Sequence, residues 1–224
     1  MVGMRWSSRF ARFVAIGVVA LVSACSGGSA KRNLSTASGA TGSSGSVVSS
    51  PTVSPSPSLS VPAIPADVPR TGHNVKPGEQ PPVYPVAALA KTQAGANAFA
   101  KFFMQTLDWA YATTNPSYMK HYYGPTCGLC SGIATGIAKT AAVKQSYEGG
   151  RLTIKAPSAA ARGSVTAPAD FCSSVIADLT AATVVDSSGH VINGQGALKN
   201  QSFKTCEIWK SNTWSITFFV GTTP

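Results

Sequence analysis

The rhythm of apolar positions changes partway along the chain. Between residues 93 and 112, Phe99, Phe103, Leu107 and Ala110 recur at helical spacing, with Phe102 and Tyr111 beside them. Thr92 stands where an N-cap belongs, so a helix is predicted over about 93–112. Asn115-Pro116-Ser117 interrupts this pattern and starts a short helix through Tyr123, and Gly124-Pro125 turns the chain. Ile133, Ile137 and Ala141 mark the apolar face of a second long helix, about 126–148, closed by Gly149-Gly150. Beyond Gly150 the period falls to two. Strands are predicted at 151–155 and 164–167, then a longer and bent one at 175–185, followed by a turn at 187–189. The clearest hairpin joins 203–210 to 213–220 around Ser211-Asn212, with Trp214, Ile216, Phe218 and Val220 on one face. Helices followed by antiparallel strands imply an α+β domain, its N-terminal helices packed on one face of a curved antiparallel sheet.

Neither rhythm exists before residue 84. Residues 25–83 are dominated by Ser, Gly, Ala, Thr, Val and Pro, with PTVSPSPSLSVPAIPADVP at their centre. Such a segment buries too little apolar surface to offset its ordering entropy, and reads as a disordered tether. At this length a random coil spans roughly 40 Å. The folded part is then one domain, 84–224.

The first 24 residues follow a third pattern. Arg5, Arg9 and Arg12 precede an apolar run from Phe13 to Ala24. The run is shorter than the roughly 20 residues a membrane span needs and fits the apolar region of a secretory signal. It ends in Val22-Ser23-Ala24-Cys25, which resembles the bacterial lipobox. That resemblance implies cleavage before Cys25 and a diacylglycerol on its thiol, placing the protein on the outer face of the cell membrane, held there by the lipid. Each buried methylene contributes about 0.8 kcal/mol, so two or three acyl chains make a stable anchor.

Charge narrows the partners. The formal net charge is +10, but five of those charges lie before residue 84; the domain carries 11 Lys/Arg against 6 Asp/Glu. No basic cluster alternates with aromatics, which argues against nucleic acid. The chain has no glycine-rich phosphate loop, no GxSxG and no HExxH, and nothing in it calls for a cofactor.

The stretch AGANAFAKFFMQTLDWAYATTNPSYMKHYYGPTCGLC, followed by YEGG and by strands ending in IWKSNTWSIT, resembles an actinobacterial lipoprotein family, domain of unknown function 6318. The resemblance covers about residues 84–220. Its architecture is similar to the cone-shaped nuclear transport factor 2-like superfamily. The family brings no assigned activity, and so no catalytic residues.

With Cys25 committed to lipid, Cys127, Cys130, Cys172 and Cys206 remain. An even number in an oxidising compartment points to disulfides, with three pairings open. Cys127–Cys130 is geometrically the easiest, since i and i+3 on a helix face one side; Cys172–Cys206 would then join two strand regions. The same CxxC at a helix N-terminus is also the arrangement of a thiol redox site, because the helix dipole favours thiolate. A metal site is not expected, because the 172–206 gap is too long for a second closely spaced pair. His121 with Tyr122 are candidates for a cavity mouth. Asp108 or Asp178 could serve as a general base of the kind enzymatic members of the superfamily use, against the plainer reading of solvent-facing acids. The leading expectation is non-catalytic binding of an envelope protein, a wall polymer or a small apolar ligand. The alternative is an enzyme, acting either through Cys127/Cys130 or as a small hydrolase or isomerase in the cone.

Lipidation is directly testable. Replacing Cys25 by Ala should release the protein from membranes or leave its signal uncut; a variant that fractionates and migrates like the natural protein would remove the anchor from the account.

Overall fold

The structure, a computed structural model, describes residues 60–222; the signal segment, Cys25 and the tether up to residue 59 lie outside them. Helix α1 spans Gln93–Thr113, and Thr92 caps it by accepting from the Gly95 N–H. Its far end closes through Thr114 in the left-handed region (φ 50°), with the Thr114 and Asn115 N–H groups donating to the Tyr111 and Ala110 carbonyls. A short α2 follows at Ser117–Lys120 and then α3 at Gly128–Ala142. A 3-10 turn at Val86–Leu89 precedes α1.

Eight antiparallel strands follow: β1 Ser146–Gly149, β2 Leu152–Ile154, β3 Ser158–Ala159, β4 Phe171–Leu179, β5 Ala182–Val185, β6 Val191–Gln195, β7 Leu198–Lys210 and β8 Thr213–Thr222. They form a larger sheet ordered β2-β4-β7-β8, with β3 also on β4, and a smaller one ordered β1-β5-β6. The domain is therefore α+β, and its sheets do not close into a barrel.

The two sheets share one bent ribbon. The chain passes from β1 to β2 through Gly149 and Gly150, at φ 66° and 65°, and returns from β4 to β5 across Thr180-Ala181. At the bend Gly150 N–H donates to the Ala181 carbonyl and Thr180 N–H to that of Arg151. A Cβ at Gly149 would lie 2.0 Å from the Ala181 oxygen, so only glycine fits there. The predicted bend in 175–185 is this corner. The glycine pair, expected to end a helix, instead kinks a strand. Helix α3 stops six residues earlier than the pattern suggests: Lys144 takes φ 57°, and the Lys144 and Gln145 N–H groups return to the Ala141 and Thr140 carbonyls. A lysine in the C′ position usually held by glycine hides that stop from the sequence.

Other differences have equally local causes. The Ser211-Asn212 turn is as expected, with both residues at positive φ. The shared face of β8 is not. Register shifts between Cys206 and Glu207, where Cys206 faces Phe218 but Glu207 faces Ile216. This bulge at Thr217 flips the alternation, so Trp214, Ile216 and Phe219 are buried, whereas Phe218 and Val220 are not. The segment 164–167 forms no strand. It wraps the Arg162 guanidinium, which donates to the carbonyls of Val165, Ala167 and Ala169. Strand β6, fully exposed, was not anticipated.

Helix α1 buries far more than one stripe. Apart from Ala112 near its end, its buried positions, from Trp109, Phe102 and Thr106 through Phe99 and Phe103 to Leu107 and Met104, sweep about 220° of arc at 100° per residue. One side meets the sheet, where Phe103 lies against Phe219 (5.9 Å). The other side meets the chain before α1, most of which composition assigns to the tether. Val68 is buried, the Trp109 indole N–H donates to the Pro69 carbonyl (3.0 Å), and Tyr84 packs on Phe102 (5.1 Å). The ordered part thus begins well before Tyr84, because residues 60–83 are the second cover that α1 requires.

Arg151 ties this cover to the sheet. Its guanidinium bonds both carboxylate oxygens of Glu79, both of Asp108 and the Asn74 carbonyl. All three side chains are mostly shielded (18%, 27% and 14% exposed). Arg151→Ala strands two carboxylates, and chemical denaturation should show a loss of roughly 2–4 kcal/mol; a loss below about 1 kcal/mol, the value of a surface pair, would show the strap to be held by packing alone.

Candidate functional site

A cleft of about 570 Å³ opens on the concave side of the smaller sheet. Its floor is β5 with Thr183 and Val184, and Ile192 to Gln195 of β6 form one wall. The opposite wall is Tyr147 on β1, set edge-on to Tyr111 at the end of α1 (5.0 Å, 88°). The Tyr147 hydroxyl lies 3.0 Å from the Thr140 hydroxyl of α3, which fixes the ring. Burial pushes the Tyr111 phenol up to about 12, so it stays protonated. Among the described residues, no Asp, Glu, Lys, Arg, His or Cys lines the cleft.

The residues singled out from sequence do not come together. His121 is on the surface, 2.9 Å from Asp67. Tyr122 is buried in an aromatic cluster with Phe102 (4.8 Å), Tyr118 (5.7 Å) and Phe99 (6.1 Å), so it lines no cavity mouth. Asp108 is the counter-ion of Arg151 and also accepts from the Leu152 N–H (2.8 Å). Asp178, on β4, accepts from the Asn200 N–H (2.7 Å) and lies near Lys155 and Lys199; these contacts, the Asn200 bond foremost, lower its pKa. None of the four faces the cleft. The space where a cone would be hollow, between α1 and the larger sheet, is filled by Phe99, Phe103, Met104, Ile216 and Phe219. Among the described residues, no group of three or more His, Cys, Asp or Glu converges as a metal site.

The cysteines form two bridges, Cys127–Cys130 and Cys172–Cys206. The first begins α3, with Cys127 as the residue before Gly128, and both its cysteines are 1% exposed or less. The second joins directly opposed residues of β4 and β7, with Cα atoms 4.0 Å apart. It closes a loop of 34 residues, for roughly 3–4 kcal/mol in the chain-entropy account, against less than about 2 for the short bridge.

One buried acid was not singled out. Glu207 is 0% exposed, beneath α1. Thr205 donates to its Oε1, and its Oε2 lies 3.5 Å from the Ser173 hydroxyl. Ser173 in turn donates to Asn97 Oδ1 (2.9 Å), which also accepts from Gln93 Nε2 (2.9 Å). One hydroxyl proton cannot serve both Asn97 and a carboxylate; a protonated Glu207 donating to Ser173 satisfies every member. Burial, partly opposed by Thr205 and Ser173, raises its pKa to about 8. Strand parity could have found it: Phe203, Thr205 and Glu207 share a face. The cleft residues gave less signal, since Gln145 and Tyr147 fall inside the over-extended helix reading.

The model of the family of unknown function DUF6318 matches residues 65–218. The chain belongs to this family. The match starts within the strap that covers α1, well before Tyr84. No curated protein matches the chain. Among solved structures, the intermembrane space region of the chloroplast protein ARC6 is similar, at 18% identity, covering 60% of this chain and 99% of that chain with a TM-score of 0.40. No helix among the described residues is long and apolar enough to cross a membrane.

For this DUF6318 domain the buried acid sets a pH dependence. Glu207 holds in the folded state a proton that the unfolded chain releases near 4.5. Its favourable contribution is complete below about 4.5 and is lost as pH rises through about 8. Thermal or denaturant unfolding between these values should therefore show stability falling with pH. Glu207→Gln keeps the hydrogen-bonding shape, should flatten the profile, and should raise stability at pH 7 by roughly 2–3 kcal/mol. An unchanged profile would mean that Glu207 is ionised in the fold.

Proposed function

We propose that this protein is a lipid-anchored envelope lipoprotein whose domain binds a ligand in the cleft on the smaller sheet, without catalysing its conversion. In this reading Cys25 carries the lipid, the Ser/Pro-rich segment up to about residue 59 spaces the domain from the outer face of an actinobacterial membrane, and the fold is an offshoot of the nuclear transport factor 2-like architecture. The observation that carries it is the cleft lining: about 570 Å³ of concave surface with aromatic, aliphatic and amide groups and no carboxylate, imidazole, amine or thiol. Such a surface can orient a ligand but offers no group suited to proton transfer near neutrality.

The thiol alternative fits less well. A redox CxxC presents its first sulfur to an incoming thiolate, whereas Cys127 is 1% exposed and enclosed by the core around α3. Hydrolase or isomerase chemistry would require Asp108 or Asp178 in a cavity, and each is engaged elsewhere.

Cleft occupancy is tested by filling it. Asn193 lies on exposed β6 in register with Val184 and, through it, with Tyr147, so its side chain is on the cleft side and Asn193→Trp should fold and fill the cleft. The natural protein should co-sediment with isolated actinobacterial cell-wall sacculi, and Asn193→Trp should not, at unchanged melting temperature. Equal sedimentation of both, or of neither, would overturn the reading.

A further inference from the structure

We infer that the cleft takes a neutral glycan chain; this rests on the binding reading and names its ligand class. The absence of charge in the cleft is built, because charged residues flank it and are turned away. Glu148 sits between Tyr147 and Gly149 on β1, and strand alternation sends it to the other side, where it meets His73 at 2.8 Å. Arg151, just past the Gly149–Gly150 bend, is consumed by Glu79 and Asp108. An anionic polymer would therefore find no counter-charge here.

The groups that do line the cleft suit hydroxyls. The amides of Gln145, Asn193 and Gln195 each offer a donor and an acceptor, and every sugar hydroxyl uses both. Only the Asn193 oxygen has a partner, its neighbour's Gly194 N–H (2.8 Å). An apolar ligand would cover these amides and leave them unpaired, which disfavours a fatty chain. The ring of Tyr147, locked between Tyr111 and Thr140, supplies the flat apolar face that the C–H side of a pyranose needs. Gly149 and Gly150 keep the end of the cleft low, so a chain can run along β6. The volume lies within the about 300–1,000 Å³ range of ligand sites, room for several sugar rings.

The test titrates the mature lipoprotein, held in a detergent without a sugar headgroup, by calorimetry. The probes are linear mannan, glucan, arabinan and galactan fragments from mono- to tetrasaccharide, with teichoic acid, palmitate and an unstructured peptide as comparators. At least one neutral series should bind, more tightly with length, and unchanged from about 0.05 to about 0.5 M salt. Asn193→Ala with Gln195→Ala, both on the exposed strand, should weaken it about tenfold, the loss of one or two hydrogen bonds. Tyr147→Ala should cost at least as much, and Tyr147→Phe less, since the ring remains. Failure of every neutral series overturns the inference, as does salt-sensitive binding of teichoic acid alone. Binding of palmitate or of the peptide, abolished by Asn193→Trp, overturns the glycan while leaving a binding cleft. Failure of every probe, with sacculus binding indifferent to Asn193→Trp, removes both.

Discussion

Everything in this domain follows from the need to cover α1 on two sides. A surface helix with an apolar stripe of about 100° is satisfied by one sheet. The roughly 220° buried here cannot be. The larger sheet takes the face of Phe99 and Phe103, and the remaining arc, with Phe102 and Trp109, needs a second layer. Helix α2 supplies Tyr118 and Met119, and the strap before α1 supplies Val68 and Tyr84. Burying each such side chain contributes about 1.5–3 kcal/mol, so the strap belongs to the core although it has no periodic secondary structure of its own.

A filled core leaves no hollow between helix and sheet, and concavity has to arise elsewhere. It arises at the bend of the ribbon. Gly149 and Gly150 on one strand and Thr180-Ala181 on the other turn the ladder away from the core. β1, β5 and β6 then stand as a separate small sheet beyond the end of α1. One edge of that sheet is occupied: the Asn74 side chain accepts from the Gly149 N–H and donates to the Gly149 carbonyl, as a neighbouring strand would. The other edge, β6, is exposed along its whole length.

The elements legible in the sequence were those with a local chemical signature. Thr92 capped where a threonine ahead of an apolar run should, and Ser211-Asn212 turned the hairpin that its flanking alternation demanded. What the sequence hid carried no such signature. Lys144 ends α3 in a conformation that glycine usually marks, its N–H and that of Gln145 returning to carbonyls of the last turn. The bulge at Thr217 has no glycine to announce it, yet it exchanges Phe218 for Phe219 in the core. The strap has the composition of a tether, and only the unusual breadth of the apolar surface on α1 could have shown that something must lie against it. The cleft was the least legible part, because its walls come from four segments that the bend brings together.

The buried acid network connects these layers. An interface of Phe and Ala side chains between a helix and a sheet resists separation but is weakly directional. Hydrogen bonds are directional, and a buried network admits one arrangement in which every partner is satisfied. Gln93 and Asn97 bring two positions of α1 onto Ser173, Thr205 and Glu207 of the sheet, and Gln93 also donates to the Cys172 carbonyl beside the long disulfide. A slip of α1 by one turn, 5.4 Å, would break the two bonds that cross from helix to sheet, Gln93 to the Cys172 carbonyl and Ser173 to Asn97. It would also carry Tyr111, at the other end of the same helix, away from Tyr147 and the wall of the cleft. The cost of holding a neutral carboxyl group in the core is thus tied to the site: the network that Glu207 completes sets the register of α1, and that register places the aromatic wall against which a ligand would lie.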